Sequence, residues 1–141
     1  MKILILNGPN LNLIGVREPQ IYGSISLDEF LETVKRRFSE CHIDTFQTNH
    51  EGVLIDRLHE AMGRYDGIVM NPGGYAHTSI ALADAVRSIG IPVVEVHISN
   101  IYEREEFRHH SFTAEAAAHS IVGHGLEGYA EAVEYLIMKN R

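Results

Sequence analysis

The chain has 141 residues, 45% hydrophobic and 22% charged, values that exclude a disordered, collagen-like or coiled-coil chain and leave room for one core rather than two. Twelve basic residues against nineteen acidic ones give a net charge of −7. The surface as a whole therefore repels phosphate backbones and anionic lipids, and neither nucleic acid nor membrane is expected as a partner. The single cysteine, Cys41, cannot form an internal disulfide, the apolar run at residues 1–6 is too short for a signal peptide, and no run approaches the roughly 20 residues of a membrane span. A cytoplasmic protein is the expectation.

Apolar runs of strand length alternate with helical patterns from end to end, the signature of βα repetition around a parallel sheet covered on both faces. Residues 2–7 read as the first strand, ending at Gly8-Pro9. A connection of about eighteen residues follows, carrying Arg17 and Tyr22 between Gly15 and Gly23, against the usual two to six; such a length suits a lid over an active site as well as a plain surface loop. Ser26-Leu27-Asp28-Glu29 has the form of a capping box, and Leu27, Phe30, Leu31, Val34 and Phe38 then recur at helical spacing.

Residues 42–48 form the second strand. Leu54, Ile55, Leu58, Ala61 and Met62 mark one face of a second helix ending near Gly63. Residues 67–70 are a short, wholly apolar third strand. The helix at residues 79–88 is apolar over more of its circumference than one sheet face needs, which predicts burial against another subunit. Residues 92–98 and 120–122 are the fourth and fifth strands, and Leu126, Tyr129, Ala130, Val133, Leu136 and Ile137 stripe a closing helix. The pattern predicts an α/β, flavodoxin-like, doubly wound five-stranded parallel sheet of order 2-1-3-4-5 with helices on both faces. In such folds ligands sit beyond the carboxyl ends of strands 1, 3 and 4.

Three polar clusters fall at that edge: Asn7-Gly8-Pro9-Asn10, Asn71-Pro72-Gly73-Gly74-Tyr75-Ala76-His77 and His97-Ile98-Ser99-Asn100. Any one of them reads equally as a turn; the coincidence of three points to a site. Strand alternation puts Glu95, His97 and Ser99 on one face and Val94, Val96 and Ile98 on the other. A carboxylate inside a central strand needs a partner, and His97 is within reach. The two either satisfy each other in the core or form an oriented acid–base pair, and the position of His97 at the ligand end favours the second. His77 and Asp84 lie seven residues apart on one helical face. Asp84 either joins Arg87 and Ser88 in a solvated stripe or faces a site across a subunit boundary. Residues 103–110 read as a charged helical turn with Arg104 and Arg108 at i, i+4, a solvated face or a clamp for an anionic substrate.

No G-x-G-x-x-G follows the first strand, no Walker A or H-E-x-x-H motif occurs, and there is no recognisable metal spacing. The three lysines, Lys2, Lys35 and Lys139, and Cys41 all lie far from the ligand edge. What remains is a kit of tyrosine, histidine, arginine and asparagine for proton transfer and anion stabilisation without cofactor or metal.

Asn7-Gly8-Pro9-Asn10-Leu11-Asn12, Arg17-Glu18-Pro19, Tyr22-Gly23, Asn49-His50-Glu51-Gly52, Asn71-Pro72-Gly73-Gly74, His77-Thr78-Ser79, Glu95-Val96-His97-Ile98-Ser99-Asn100 and Arg104-Glu105-Glu106-Phe107-Arg108 stand in one order. In these blocks, and through residues 123–129, the chain closely resembles type II 3-dehydroquinate dehydratase. The resemblance implies a single catalytic domain, 1–141, that eliminates water from 3-dehydroquinate through an enolate without a cofactor, the third step of the shikimate route to aromatic amino acids. It implies Tyr22 as the base at C2, His97 as the acid for the departing C1 hydroxyl, Arg17 as support for the tyrosinate, and Asn10 as the residue placing a water against the enolate oxygen. By the same likeness Asn71, His77, Ile98, Ser99 and Arg108 match substrate-binding positions, Asp84 resembles one reaching in from a neighbouring subunit, and a dodecamer built of trimers is implied. A phenol of pKa ~10 is ionised about one part in a thousand at pH 7, a cost of roughly 4 kcal/mol. One cation at ~4 Å in an effective dielectric of ~20 offsets about that much. A small-molecule binding module of the same fold and a hydro-lyase acting on another cyclic acid are the competing readings.

Overall fold

The computed structural model describes residues 1–15 and 25–141; Arg17 and Tyr22 lie outside the described residues. Among the described residues, five strands form one parallel sheet of order β2-β1-β3-β4-β5, as the alternation predicts. The strands are β1 (Lys2–Asn7), β2 (His42–Gln47), β3 (Gly67–Asn71), β4 (Val93–His97) and β5 (His119–Val122). The helices between and after them are α1 (Leu27–Arg37), α2 (Glu51–Ala61), α3 (Ile80–Ser88), α4 (Phe112–Ala116) and α5 (Glu127–Lys139).

The two faces follow from residue parity along the strands. Ile3, Ile5, Val69, Val94 and Val96 pack against Leu31 and Val34 of α1 and Tyr129, Val133 and Leu136 of α5. Leu4, Leu6, Ile68 and Met70 pack against Leu54 and Leu58 of α2 and Leu82 and Val86 of α3. The central strands β1, β3 and β4 are buried on both sides and are largely apolar along their length, whereas the edge strands β2 and β5 are partly exposed. Among the described residues no helix is long and apolar enough to cross a membrane.

Local chemistry starts the helices where the sequence says. Ser26 Oγ accepts the Glu29 N–H at 3.1 Å and Ser79 Oγ accepts the Leu82 N–H at 2.9 Å, each satisfying a donor that the first helical turn leaves unpaired. Two expectations need correction, and one helix has no counterpart in the sequence pattern. Met62 is not on the buried face of α2 but caps its end, half exposed, because the helix stops at Ala61 before Met62 can turn inward. Residues 103–110 are not one helix; two separate 3-10 turns, Ile101–Glu103 and Glu106–Arg108, flank Arg104 and Glu105 in extended backbone, so Arg104 and Arg108 do not share a helical face. Helix α4, five residues long, was not foreseen: it is too short to show a helical period.

Candidate active site

The sheet register builds the site. Asn7 at the end of β1 stands beside Gln47 of β2 on one side and Asn71 of β3 on the other, and β4 continues past them to His97. The loops leaving β1 and β3 touch: Gly8 N–H donates to the Asn71 carbonyl at 2.8 Å, and a Cβ on Gly8 would lie 2.5 Å from the Pro72 oxygen. Only glycine permits this approach. One cavity opens there, lined by Asn10, Asn71, His77, His97, Ile98, Ser99, Arg104 and Arg108 together with Pro9, Leu11, Gly73, Gly74 and Ile101. Three clusters far apart in sequence thus line a single concave surface at the carboxyl ends of β1, β3 and β4.

His97 is its most constrained member. The ring is 6% exposed, and its Nε2 lies 2.6 Å from Oε2 of the fully buried Glu95. The same carboxylate accepts hydrogen bonds from the Ser111 hydroxyl at 2.7 Å and from the Thr113 hydroxyl. An ionised carboxylate only accepts, so Nε2 carries the proton shared with Glu95, and Nδ1 is left as the ring nitrogen that can exchange a proton with a ligand. Glu95 does not line this cavity; it holds the imidazole from behind, where it, His97 and Ser111 border a second cavity.

His77 lies with its ring centroid 5.9 Å from that of His97. Its Nδ1 donates to the His110 carbonyl at 2.8 Å, since a carbonyl can only accept, and in the neutral ring Nε2 is then an acceptor. Burial lowers the His77 pKa below the ordinary histidine value; the hydrogen bond to His110 works against this, while the nearby charges of His97 and Arg108 add to it. Arg108, partly buried, donates through Nε to Glu105. That bond holds the Glu105 carboxyl below the usual carboxylate range. Ile98 packs its side chain in the core, so what it offers the cavity is main chain.

Asn10 adopts a left-handed conformation, φ 70°, which asparagine tolerates better than most residues. A clamp from β2 holds it: Asn10 N–H donates to Asn49 Oδ1 at 3.1 Å, and Gln47 Nε2 donates both to that oxygen and to the Gly8 carbonyl, each at 3.1 Å. Below Asn71, the buried Tyr129 hydroxyl donates to Asn7 Oδ1 at 2.6 Å and accepts from Asn71 Nδ2 at 3.1 Å, while Asn71 Oδ1 accepts the Gly73 N–H at 3.1 Å. Asp84 is not in the cavity of its own chain. It sits on the exposed face of α3, 3.6 Å from Arg87 Nη1. Sequence reasoning missed Ser111, Thr113, Gln47, Asn49 and the polar role of Tyr129. Of these, Asn49 and Tyr129 fall in segments that carry the family resemblance; the others carried no signal.

The fold and the cavity define a class: a flavodoxin-like α/β domain whose ligand edge carries a carboxylate-oriented imidazole among amide and guanidinium groups, equipped for proton transfer on a small polar molecule. Sequence comparison narrows it. Residues 1–137 match the family described as Dehydroquinase class II, and the chain belongs to that family. It is 56% identical over 137 residues, 95% of this chain and 92% of the relative, to the 3-dehydroquinate dehydratase of Bacillus pumilus. It is 48% identical over 137 residues, 96% of this chain and 91% of the relative, to catabolic 3-dehydroquinase 2 of Neosartorya fischeri. The crystal structure of type II dehydroquinase from Butyrivibrio crossotus superposes with a TM-score of 0.94 at 45% identity, covering 97% of each chain.

Proposed function

We infer that the protein is a 3-dehydroquinate dehydratase, a lyase of the shikimate pathway that converts 3-dehydroquinate to 3-dehydroshikimate and water. Family membership gives the reaction class. The observation that carries the reading to this chain is His97, fixed through Nε2 by the buried Glu95 and lining a cavity with amide, imidazole and guanidinium groups.

The chain acts as one catalytic domain, 1–141. Tyr22, supported by Arg17, removes the proton at C2. Negative charge then builds on the ketone oxygen, where Asn10 places a water as donor. The clamp of Gln47 and Asn49 supports this role, because it fixes the Asn10 backbone before substrate arrives. For this step His97 carries a proton on each ring nitrogen; it delivers the one on Nδ1 to the C1 hydroxyl, which leaves as water while the enolate electrons close the new C1–C2 double bond, and the ring is left neutral, its Nε2 proton still donated to Glu95. With Nε2 committed to Glu95, Nδ1 is the nitrogen left for this step. Asn71, His77, Ser99 and the main chain at Ile98 bind the substrate hydroxyls and ring, and Arg108 meets the carboxylate as a charged donor.

Asp84 serves a neighbouring subunit's site in a dodecamer built of trimers. Ile80, apolar yet 59% exposed on the same helix, supports coverage of α3 by another copy. The enzyme works in the cytoplasm without a cofactor, and its net charge of −7 disfavours nucleic acid and anionic membranes as partners. The test is the rise in ultraviolet absorbance of the conjugated enone when purified, chelator-treated protein is mixed with 3-dehydroquinate. Binding without that rise would refute the dehydratase reading in favour of a binding module.

A further inference from the structure

The Glu95 carboxylate sits in the interior with no solvent contact, and its hydrogen bonds come from two directions. Oε2 accepts from His97 and from Ser111; Oε1 accepts from Thr113. Both hydroxyls come from the start of α4. Ser111 Oγ also receives the Ala114 N–H at 3.0 Å, so the residue that starts the helix is the one that grips the carboxylate. Thr113 is itself fully buried, and its hydroxyl lies 3.2 Å from that of Ser111. Each hydroxyl has one proton, and each directs it at Glu95. With both oxygens held, the carboxylate plane cannot rotate about its terminal torsion, a torsion that is otherwise soft.

We propose that Thr113, with Ser111 beside it, is a positioning residue for the dehydration: the first turn of α4 locks the plane of the Glu95 carboxylate, and that plane sets the direction in which His97 presents Nδ1. This rests on the reading of His97 as the acid of the leaving-group step. Burial alone would require only that Glu95 be satisfied somehow. The geometry does more, because rotating the carboxylate to suit other donors would swing Oε2 away from His97.

Two substitutions separate this role from packing. Thr113→Val keeps the shape and removes the donor; Thr113→Ser keeps the donor and removes a methyl group. Positioning predicts that Thr113→Val lowers kcat on 3-dehydroquinate about tenfold, the worth of one hydrogen bond to a charged group, with KM within twofold. Thr113→Ser should recover most of that loss. In a His97→Ala background, Thr113→Val should add no further loss. Full kcat in the valine variant, an equal loss in the serine variant, or losses that multiply in the His97→Ala background would each overturn the proposal. Should Thr113→Val not fold, Ser111→Ala carries the same test at Oε2: reduced kcat at unchanged KM supports it, and unchanged kcat overturns it. Absence of turnover in the unsubstituted protein would instead remove the dehydratase reading, and this inference with it.

Discussion

Tyr129→Phe removes a single oxygen from the middle of the molecule, and the structure gives the size of the effect. The ring stays, so apolar burial on α5 is unchanged. What is lost is the hydroxyl that donates to Asn7 Oδ1 and accepts from Asn71 Nδ2, both side chains being almost fully buried. Leaving a buried acceptor and a buried donor without that partner costs about 1–3 kcal/mol each, so roughly 2–4 kcal/mol together once the easier burial of phenylalanine is allowed for. At about 4 °C per kcal/mol for a domain of this size, Tm should fall by roughly 8–16 °C at fixed protein concentration. Circular dichroism follows this directly. Asn71 lines the cavity and, among the described residues, keeps only the Gly73 N–H on its other amide atom, so KM should rise several-fold as well. A Tm within about 2 °C of the unsubstituted protein would refute the view that this hydroxyl ties the ends of β1 and β3 to α5.

His77 predicts a pH dependence of stability. Its folded pKa lies below the unfolded value of about 6.5, so the folded state binds fewer protons; the stability is present in full above ~6.5 and lost as pH falls through the folded pKa. Thermal melts from pH 7 to 5 should therefore decline more steeply for the unsubstituted protein than for His77→Gln, and parallel slopes would exclude the effect. Gly8→Ala should depress both Tm and kcat/KM, because the new Cβ meets the Pro72 backbone oxygen at 2.5 Å and backbone cannot swing aside as the end of a flexible side chain can; melts and steady-state kinetics check it. Tyr22→Phe and Arg17→Ala should each lower kcat by about 10²-fold or more, the usual range for a lost acid or base. His97→Ala should slow chiefly the leaving-group step, so the isotope effect with C2-deuterated substrate should shrink. Near-normal turnover of Tyr22→Phe would assign the base to another residue.

The strand order and the edge at which the candidate cavity opens were legible because both depend on long, repeated patterns. Five apolar runs separated by helical stripes leave few topologies, and the parallel sheet fixes which ends carry ligands. The pairing of Glu95 with His97 was legible for a related reason: the two-residue period of a strand is rigid, so side chains at i and i+2 meet whatever surrounds them. The split between Arg104 and Arg108 was not legible, because four-residue spacing suggests a helical face even where the backbone extends at Arg104 and Glu105. Tyr129 was assigned to an apolar stripe, where its ring does pack, but periodicity says nothing of a hydroxyl whose partners lie 122 and 58 residues away.

The case of Glu95 shows why such contacts escape sequence reading and yet fix a residue at the cavity wall. Strand alternation places this carboxylate on the face of the sheet occupied by Leu4, Leu6 and Met70, where an unsolvated charge is costly unless several donors meet it. His97 supplies one. The other two come from a five-residue helix at a separation of 16 and 18 residues, with no pattern to announce it. A strand can bring a histidine to the ligand edge by period alone. To satisfy and immobilise its partner carboxyl group inside a core, it needs hydroxyls from elsewhere in the chain. The same requirement accounts for the clamp of Gln47 and Asn49 on Asn10: a left-handed residue at a loop entrance keeps its place through side chains from the next strand rather than through its own local sequence. In both places a residue at the cavity wall is held by neighbours behind it, which is how a site of this kind can be in position before its substrate arrives.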